Sequence, residues 1–267
     1  MLKVFLSAKN FYHSLLTKII IFIRGNKRSK FDIKNSIDYE IMNWKGIEIV
    51  YRKKSVDKEQ VCWMGESLFW NKFKERPIRE EDIVLDLGSH IGSFALLAAI
   101  TKQCKVFAFE PDYESFSLCK INTLLNSVED KVTNLCAAVA SETGKMILYK
   151  ATENWGHTII PDGGSSNILT GNQVEIDCFS LSDALKYSGN RCAFMKFNIE
   201  GAEFEMIEKT DIDTLRRITC MVGEIHYDLG RHDSDLMVKR LSEAGFFVKI
   251  IPQTAVRSLL YAILEKY

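Results

Sequence analysis

The 267-residue chain is short of several features that would narrow its class at once. It has four prolines, no Cys-x-x-Cys pair, no Asn-x-Ser/Thr sequon and no His-Glu-x-x-His. Its cysteines (Cys62, Cys104, Cys119, Cys136, Cys178, Cys192, Cys220) are odd in number and mostly lie in apolar runs, where a free thiol behaves as a small hydrophobe. A disulfide framework is therefore excluded, a structural zinc site is not expected, and a reducing, cytoplasmic compartment is. Net charge is also lacking, with 35 basic residues against 35 acidic. No global field draws in nucleic acid, and no nucleic-acid partner is expected.

That zero is an average over unlike parts. Residues 1–30 carry Lys3, Lys9, Lys18, Arg24, Lys27, Arg28 and Lys30 and no acid; removing those seven from 35 leaves 28 bases against 35 acids, a net of −7 for residues 31–267. The apolar stretch Phe11–Arg24 is interrupted by His13 and Lys18, and its longest clean run is Ile19–Ile23. This falls far short of the roughly 20 residues needed to span a bilayer, and no small-residue cleavage site comes after it. Leu2, Phe5 and Leu6, then Leu15, Leu16, Ile19, Ile20 and Ile23, recur at helical spacing. Two roles fit such a helix: packing on the body or on a second subunit of a homo-oligomer, or peripheral contact of residues 1–30 with an anionic membrane surface. Residues 1–45 are accordingly expected to form a basic helical extension, and residues 46–267 the main domain.

The overall composition, 46% hydrophobic and 26% charged, is that of an ordinary globular protein. Gly46–Arg52 reads as a strand and Lys58–Phe73 as an aromatic-rich helix. Apolar runs at Ile83–Leu87, Val106–Glu110, Val132–Ala140, Ala193–Ile199 and Cys220–Ile225 then alternate with helical patterns such as Phe94–Thr101 and Tyr113–Asn126. Phe246–Ile251 and Leu259–Glu265 would finish the sheet as an edge pair, and a less regular insertion (Lys145–Tyr149, a Gly-rich loop, Gln173–Phe179) interrupts it. The pattern predicts an α/β fold with a doubly wound, mostly parallel seven-stranded sheet, one strand antiparallel. Its ligand would lie at the carboxyl ends of the strands.

The most informative stretch, Val84 to Phe94, compresses a strand, an Asp-x-Gly-x-x-x-Gly turn and a helix start into eleven residues. Gly88 and Gly92 permit close backbone approach, and a turn at a helix N-terminus is a nucleotide site. The dinucleotide fingerprint, Gly-x-Gly-x-x-Gly, is absent: position 90 is His, and Asp86 at the mouth would repel a pyrophosphate. A phosphate-free cofactor with a cationic end suits the turn better, and S-adenosylmethionine carries an ammonium, a sulfonium and a ribose diol. The second strand ends Phe109-Glu110-Pro111-Asp112, with Glu110 22 residues beyond Gly88. That is near the roughly 20-residue offset of a ribose-binding acid.

The fourth strand ends Lys196-Phe197-Asn198-Ile199-Glu200-Gly201-Ala202-Glu203, and the fifth Gly223-Glu224-Ile225-His226. In a doubly wound sheet these ends converge beside the turn. In-line methyl transfer asks the enzyme to align a nucleophile, and a hydroxyl nucleophile must also lose a proton. His226 is the natural base, because imidazole titrates near neutrality. Glu203 and Glu205 read as helix N-terminal charges that suit the dipole. Trp63, Phe69, Trp70 and Trp155 are candidate walls for an acceptor, and the loop Asn154–Asn167, with His157, Asp162 and Ser165, is a candidate lid; core packing or a solvated loop are the alternatives.

The ordered set Asp86–Phe94, Phe109–Asp112, Lys196–Glu203 and Gly223–His226, with Asn122 and Asn126 in the helix after Glu110, resembles the FkbM family of S-adenosylmethionine-dependent methyltransferases over roughly residues 46–250. The resemblance implies a class I, Rossmann-like methyltransferase fold. It also implies O-methylation of a sugar, a glycan or another small hydroxylated metabolite. It makes Asp86, Gly88, Ser89, His90, Gly92, Glu110 and Pro111 cofactor residues, with Ala138 near the adenine, and turns Asn198, Glu200, Glu224 and His226 toward the acceptor. The family usually has Asp where this chain has Asn198. Loss of that carboxylate weakens the case for a hard divalent ion, and no metal ligand is assigned. Two alternatives stand beside this reading: a cofactor-binding relative without catalysis, and a nicotinamide-dependent oxidoreductase.

Overall fold

A computed structural model describes residues 38–161, 168–227 and 233–265. The expected N-terminal helix, and Asp162, Ser165 and Asn167 of the candidate lid, lie outside the described residues. In chain order the elements are β1 (Tyr39–Trp44), β2 (Ile47–Arg52), α1 (Asp57–Met64), α2 (Leu68–Glu75), β3 (Ile83–Leu87), α3 (Ser93–Lys102), β4 (Lys105–Phe109), α4 (Tyr113–Leu125), β5 (Val132–Leu135), β6 (Ala138–Ala140), β7 (Gly144–Ala151) and β8 (Leu169–Ser180). Then come α5 (Leu181–Tyr187), β9 (Phe194–Phe197), α6 (Glu203–Lys209), α7 (Ile212–Leu215), β10 (Cys220–His226), α8 (Asp235–Glu243), β11 (Phe246–Pro252) and β12 (Arg257–Leu264).

The central sheet has seven strands in the order β11-β12-β10-β9-β3-β4-β5. Its β3–β4, β4–β5, β3–β9 and β9–β10 pairings are parallel, and β12 runs antiparallel to both β10 and β11 in the terminal pair. This is the doubly wound α/β class the alternation predicts. The chain starts mid-sheet at β3, winds outward through β4 and β5, and returns to the other side at β9. The switch point, where such sheets open a crevice for ligands, therefore lies between the carboxyl ends of β3 and β9.

The alternation of strand side chains explains the two cores. Val84 and Phe194 face one layer, with Phe69, Phe73, Phe94 and Leu96 from α2 and α3. Leu85, Leu87, Met195 and Phe197 face the other, with Phe204, Met221, Ile225 and Leu241. Continuing the period, Asp86 and Lys196 share the first face, and they are register partners.

Three expectations are revised. Tyr39–Trp44, assigned to the extension ending at residue 45, pairs with β2 across a Lys45-Gly46 turn in which both residues have positive φ, the twist a two-residue hairpin needs. Tyr39 and Trp44 are buried in the first core, so this hairpin belongs to the body. The single helix Lys58–Phe73 is two helices. Ser67 ends the first run and caps the second, its hydroxyl accepting from Trp70 N at 3.2 Å. The run Val132–Ala140 also divides. Its partner β4 leads into Pro111, which has no N–H to offer, so the ladder stops after Glu110 N donates to Leu135 O (3.0 Å). Beyond it β6 joins a separate three-stranded sheet with β8 and β7.

Candidate cofactor and acceptor cleft

The turn after β3 is held by backbone. Gly88 N and Ser89 N both donate to Phe109 O at 3.0 Å, tying the turn to the neighbouring strand. Gly88 has φ +73°, and a Cβ there would lie 1.9 Å from Asn198 O. Gly92 has φ +90°, and a Cβ would lie 2.6 Å from Cys119 Sγ. Both positions need glycine for the conformation and for close packing by β9 and α4. His90 is also left-handed (φ +51°), which lets its N–H reach Glu110 Oε2 at 2.8 Å.

Asp86 does not line the cleft. It is fully buried beneath the turn, 3.0 Å from Lys196 Nζ, and Lys196 in turn donates to Gly88 O at 2.6 Å. Burial pushes the Asp86 carboxyl up, and the ammonium opposes that. Lys196 itself lines the cleft, with its ammonium 5.8 Å from the Phe69 ring centroid. Sequence reasoning gave Lys196 no role. The signal for it is the strand period, which puts Lys196 on the same face as Asp86.

Glu110, at the end of β4, has 8% of its surface exposed. Its two oxygens accept from His90 N (2.8 Å) and Asp112 N (2.9 Å), and burial, with the Asp112 charge adding, raises its pKa. Asp112 caps α4 through Ser115 N and pairs with Lys150. Burial would raise its carboxyl, but Lys150 and His157 draw it down to about 2. The His90 ring lies 2.8 Å from Arg52 Nη2 and 3.2 Å from Asp57 Oδ1, beside a bidentate Arg52–Asp57 pair. Asn122 takes Val50 N (2.7 Å) and donates to Val50 O (3.1 Å) and Ile91 O (2.9 Å), while Asn126 pairs with the backbone of Glu48. Both asparagines fasten the N-terminal hairpin to α4, and Asn122 also ties it to the turn after β3.

The cleft over the turn has about 950 Å³ of empty volume, a figure that includes space open to solvent. Its lining includes Gly88, Ser89, Glu110, Pro111, Ala138 and Val139, together with Trp63, Phe69, Trp155, His157, Asn198 and Glu200. Trp70 is absent from it: it stacks on Phe73 within the core. Trp63 is 44% exposed and meets Phe69 edge-on, while Trp155 carries Arg257 over its ring at 5.3 Å. His157 Nδ1 accepts from Ala151 N at 3.0 Å, and burial together with Lys150 lowers its pKa to about 4.

The four expected acceptor-side residues separate. Asn198 and Glu200 line the cleft, whereas Glu224 and His226 do not. Among the described residues, Asn198 Oδ1 is buried with no hydrogen-bond partner. Glu200 is left-handed (φ +49°), and its carbonyl accepts from Thr158 Oγ1 of the insertion at 2.5 Å. His226 is fully buried behind Glu200, with Nε2 3.4 Å from Glu200 Oε1 and 3.7 Å from Glu224 Oε2. Its Nδ1 is 2.9 Å from Glu203 Oε1. Glu203 stands in the first turn of α6 as expected, but it is fully buried and engages His226. Glu205 is exposed there, and it pairs with Lys209 at 3.0 Å. Among the described residues no group of three or more His, Cys, Asp and Glu is arranged to hold a metal ion, and no helix is long and apolar enough to cross a membrane.

Comparison with known proteins adds a family. The model of the methyltransferase FkbM domain matches residues 86–248. The hexuronic acid methyltransferase AglP of Haloferax volcanii is 27% identical over 173 residues, covering 64% of this chain and 66% of that protein. The tRNA (guanine(37)-N(1))-methyltransferase of Dictyostelium discoideum is 34% identical over 74 residues, covering 28% and 16%. The chain thus spans just under two thirds of the first relative and about a sixth of the second. Their names give two acceptor classes, so the expected absence of a nucleic-acid partner gains no support from them. Solved structures similar to the chain include the SAM-dependent methyltransferase of Agrobacterium tumefaciens (TM-score 0.49, 13% identity, 86% of this chain and 71% of that one). The M. jannaschii TYW2 in complex with AdoMet is another (TM-score 0.46, 11% identity, 85% of each chain).

Proposed function

The chain belongs to the FkbM methyltransferase family, and from that premise we propose that it uses S-adenosylmethionine to methylate a hydroxyl of a sugar, a glycan or another small hydroxylated metabolite. Glu110 carries the cofactor half of the reading. Both of its oxygens are fixed by backbone N–H groups, His90 of the turn and Asp112 beyond its own strand, and a carboxylate keeps lone pairs for further donors. A vicinal diol offers two such donors, and charge-assisted bonds to them are the strong kind. Pro111, Ala138 and Val139 supply an apolar wall beside it for a planar base. The donor set thus fits S-adenosylmethionine, which when bound supplies an electrophilic methyl on a sulfonium.

The chain's own contribution is orientation and exclusion of water. Trp63, Phe69 and Trp155 offer aromatic surface on which a sugar face can stack, and the partnerless Asn198 Oδ1 accepts from a hydroxyl. Holding an acceptor oxygen in line with the methyl is the main catalytic demand of such a transfer. The net charge of −7 on residues 31–267 favours an acceptor without a phosphate backbone.

Calorimetry with S-adenosylhomocysteine, followed by methyl-label transfer to a panel of sugars, hexuronic acids and tRNA, tests this. Tight binding with label on a sugar is expected. Label on tRNA alone overturns the acceptor class, and binding without transfer to any acceptor favours the non-catalytic alternative. Tight NAD binding with no response to S-adenosylhomocysteine overturns the reading.

A further inference from the structure

The carboxylate nearest the acceptor does not stand alone. Behind Glu200 lies His226, and behind His226 lies Glu203, the latter two without exposed surface. Glu203 Oε1 accepts the backbone N–H of His226 at 2.7 Å and lies 2.9 Å from Nδ1 of the same residue; its Oε2 accepts Gly201 N at 2.9 Å. One carboxylate therefore fixes both the main chain and the ring of His226, together with the residue after Glu200. With Nδ1–H committed to Glu203, Nε2 is left facing Glu200 at 3.4 Å. On the far side, Thr158 clamps the Glu200 carbonyl and holds that residue left-handed at the cleft wall.

The geometry points to Glu203 as a positioning residue: it fixes the His226 ring with Nε2 toward the Glu200 carboxylate, and Glu200 takes the acceptor's proton. This rests on the methyltransferase reading above and changes its base, since a fully buried His226 cannot touch an acceptor. In the step, the acceptor oxygen bonds to the methyl carbon and the carbon–sulfur bond breaks, leaving its pair on sulfur. The hydroxyl proton passes to a Glu200 oxygen. Among the described residues, the ionisable groups beside the His226 ring are Glu200 and Glu203 from the β9–α6 region and Glu224 on its own strand, and Arg257 is its register partner in β12. Burial alone would lower the imidazole pKa. The Glu200 and Glu203 carboxylates reverse that and hold it well above the ordinary value.

The test uses the full chain with 15N-labelled histidine, S-adenosylhomocysteine, and methyl-labelled cofactor with methyl glucoside and methyl glucuronide as acceptor probes. In the wild type, His226 carries protons on both ring nitrogens at pH 8, above the ordinary imidazole range. Glu203→Gln brings its titration down and moves the acid limb of kcat to higher pH, because Glu200 loses the cation that favours its ionised form. Glu200→Gln lowers kcat by about 100-fold, the size of a lost general base, with S-adenosylhomocysteine affinity unchanged. Should Glu203→Gln not fold, the wild-type spectrum and Glu200→Gln still decide. A His226 neutral at pH 8, or full turnover in Glu200→Gln, overturns the inference alone. Bound S-adenosylhomocysteine with no wild-type transfer to either probe counts against the reading beneath it as well.

Discussion

Removing Asp86 should damage the protein more than removing its partner Lys196, although the two form one ion pair. Both are buried, and their charged atoms lie 3.0 Å apart on the face of the sheet beneath the turn after β3. Deleting one member of such a pair leaves an uncompensated charge and typically costs about 3–5 kcal/mol. The two deletions differ in escape route. In Lys196→Met, Asp86 is left in a site whose burial already raises its pKa, so it takes up a proton, and the cost falls to that of an unsatisfied neutral group, about 1–3 kcal/mol. In Asp86→Ala, the ammonium keeps its bond to Gly88 O but loses its only carboxylate within ion-pair range among the described residues, and the larger figure applies. The double variant should then be more stable than Asp86→Ala alone, because no charge is stranded. Urea unfolding of the two single variants and the double variant at neutral pH gives the cycle, and calorimetry with S-adenosylhomocysteine reports whether the turn keeps its shape. A double variant as unstable as the sum of the singles, or Asp86→Ala no worse than Lys196→Met, refutes the reasoning.

Glu110→Ala should weaken S-adenosylhomocysteine by about 1.5–3 kcal/mol, the worth of hydrogen bonds to a charged group, and the loss should vanish for a 2′,3′-dideoxy analogue. Equal loss with both ligands in calorimetry would separate Glu110 from the ribose. Asn122→Ala leaves the Val50 N–H and two carbonyls without their partner, costing about 2–4 kcal/mol and speeding exchange of the Val50 amide; unchanged exchange would deny the asparagine its fastening role. His157 has a depressed folded pKa of about 4 against 6.5, so the unfolded chain takes the proton first. Its contribution is intact above pH 6.5 and lost as pH falls toward 4, on the order of 3 kcal/mol. His157→Gln should flatten that part of the pH–stability curve in urea titrations, while the raised His226 works in the opposite sense in both proteins.

What was legible in the sequence was local. β3, β4, β9 and β10 read cleanly because both faces of a central parallel strand are covered, so the run of apolar residues is nearly continuous. The turn and Glu110 were legible because their glycines and strand-end acid lie within one strand–turn–helix–strand unit. β1 was missed because its hairpin turn is Lys45-Gly46, where a lysine adopts positive φ without the usual Asn or Asp signal. The division of β5 from β6 was hidden because Leu135–Ala140 stays apolar across the change of sheet; the cue, Pro111, sits on the partner strand. The Asp86–Lys196 pair spans 110 residues, and its partners meet only through the β3–β9 register. Glu203 misled for a related reason: an acid in the first turn of a helix has a ready surface explanation, and only the end of β10 brings His226 N and Nδ1 to it.

The buried acids around the cleft also explain why sequence reasoning aimed Asp86 at the cofactor's cation. Six acids are buried among the described residues: Asp57, Asp86, Glu110, Asp112, Glu200 and Glu203. Asp57 has Arg52, Asp86 has Lys196, Asp112 has Lys150, and Glu200 and Glu203 share His226. Glu110 alone among them has no side-chain cation within ion-pairing distance and is held by backbone N–H groups. A buried carboxylate compensated by a fixed cation has its charge answered within the protein and serves to hold geometry. One held only by two backbone amides has no fixed cation opposite it, and it gains most from further donors brought by a ligand. Two carboxylates thus stand at the ends of adjacent strands, β3 and β4, and look equivalent in one dimension. Their partners differ: Asp86 faces the Lys196 ammonium beneath the turn, and Glu110 accepts from two backbone N–H groups at the cleft.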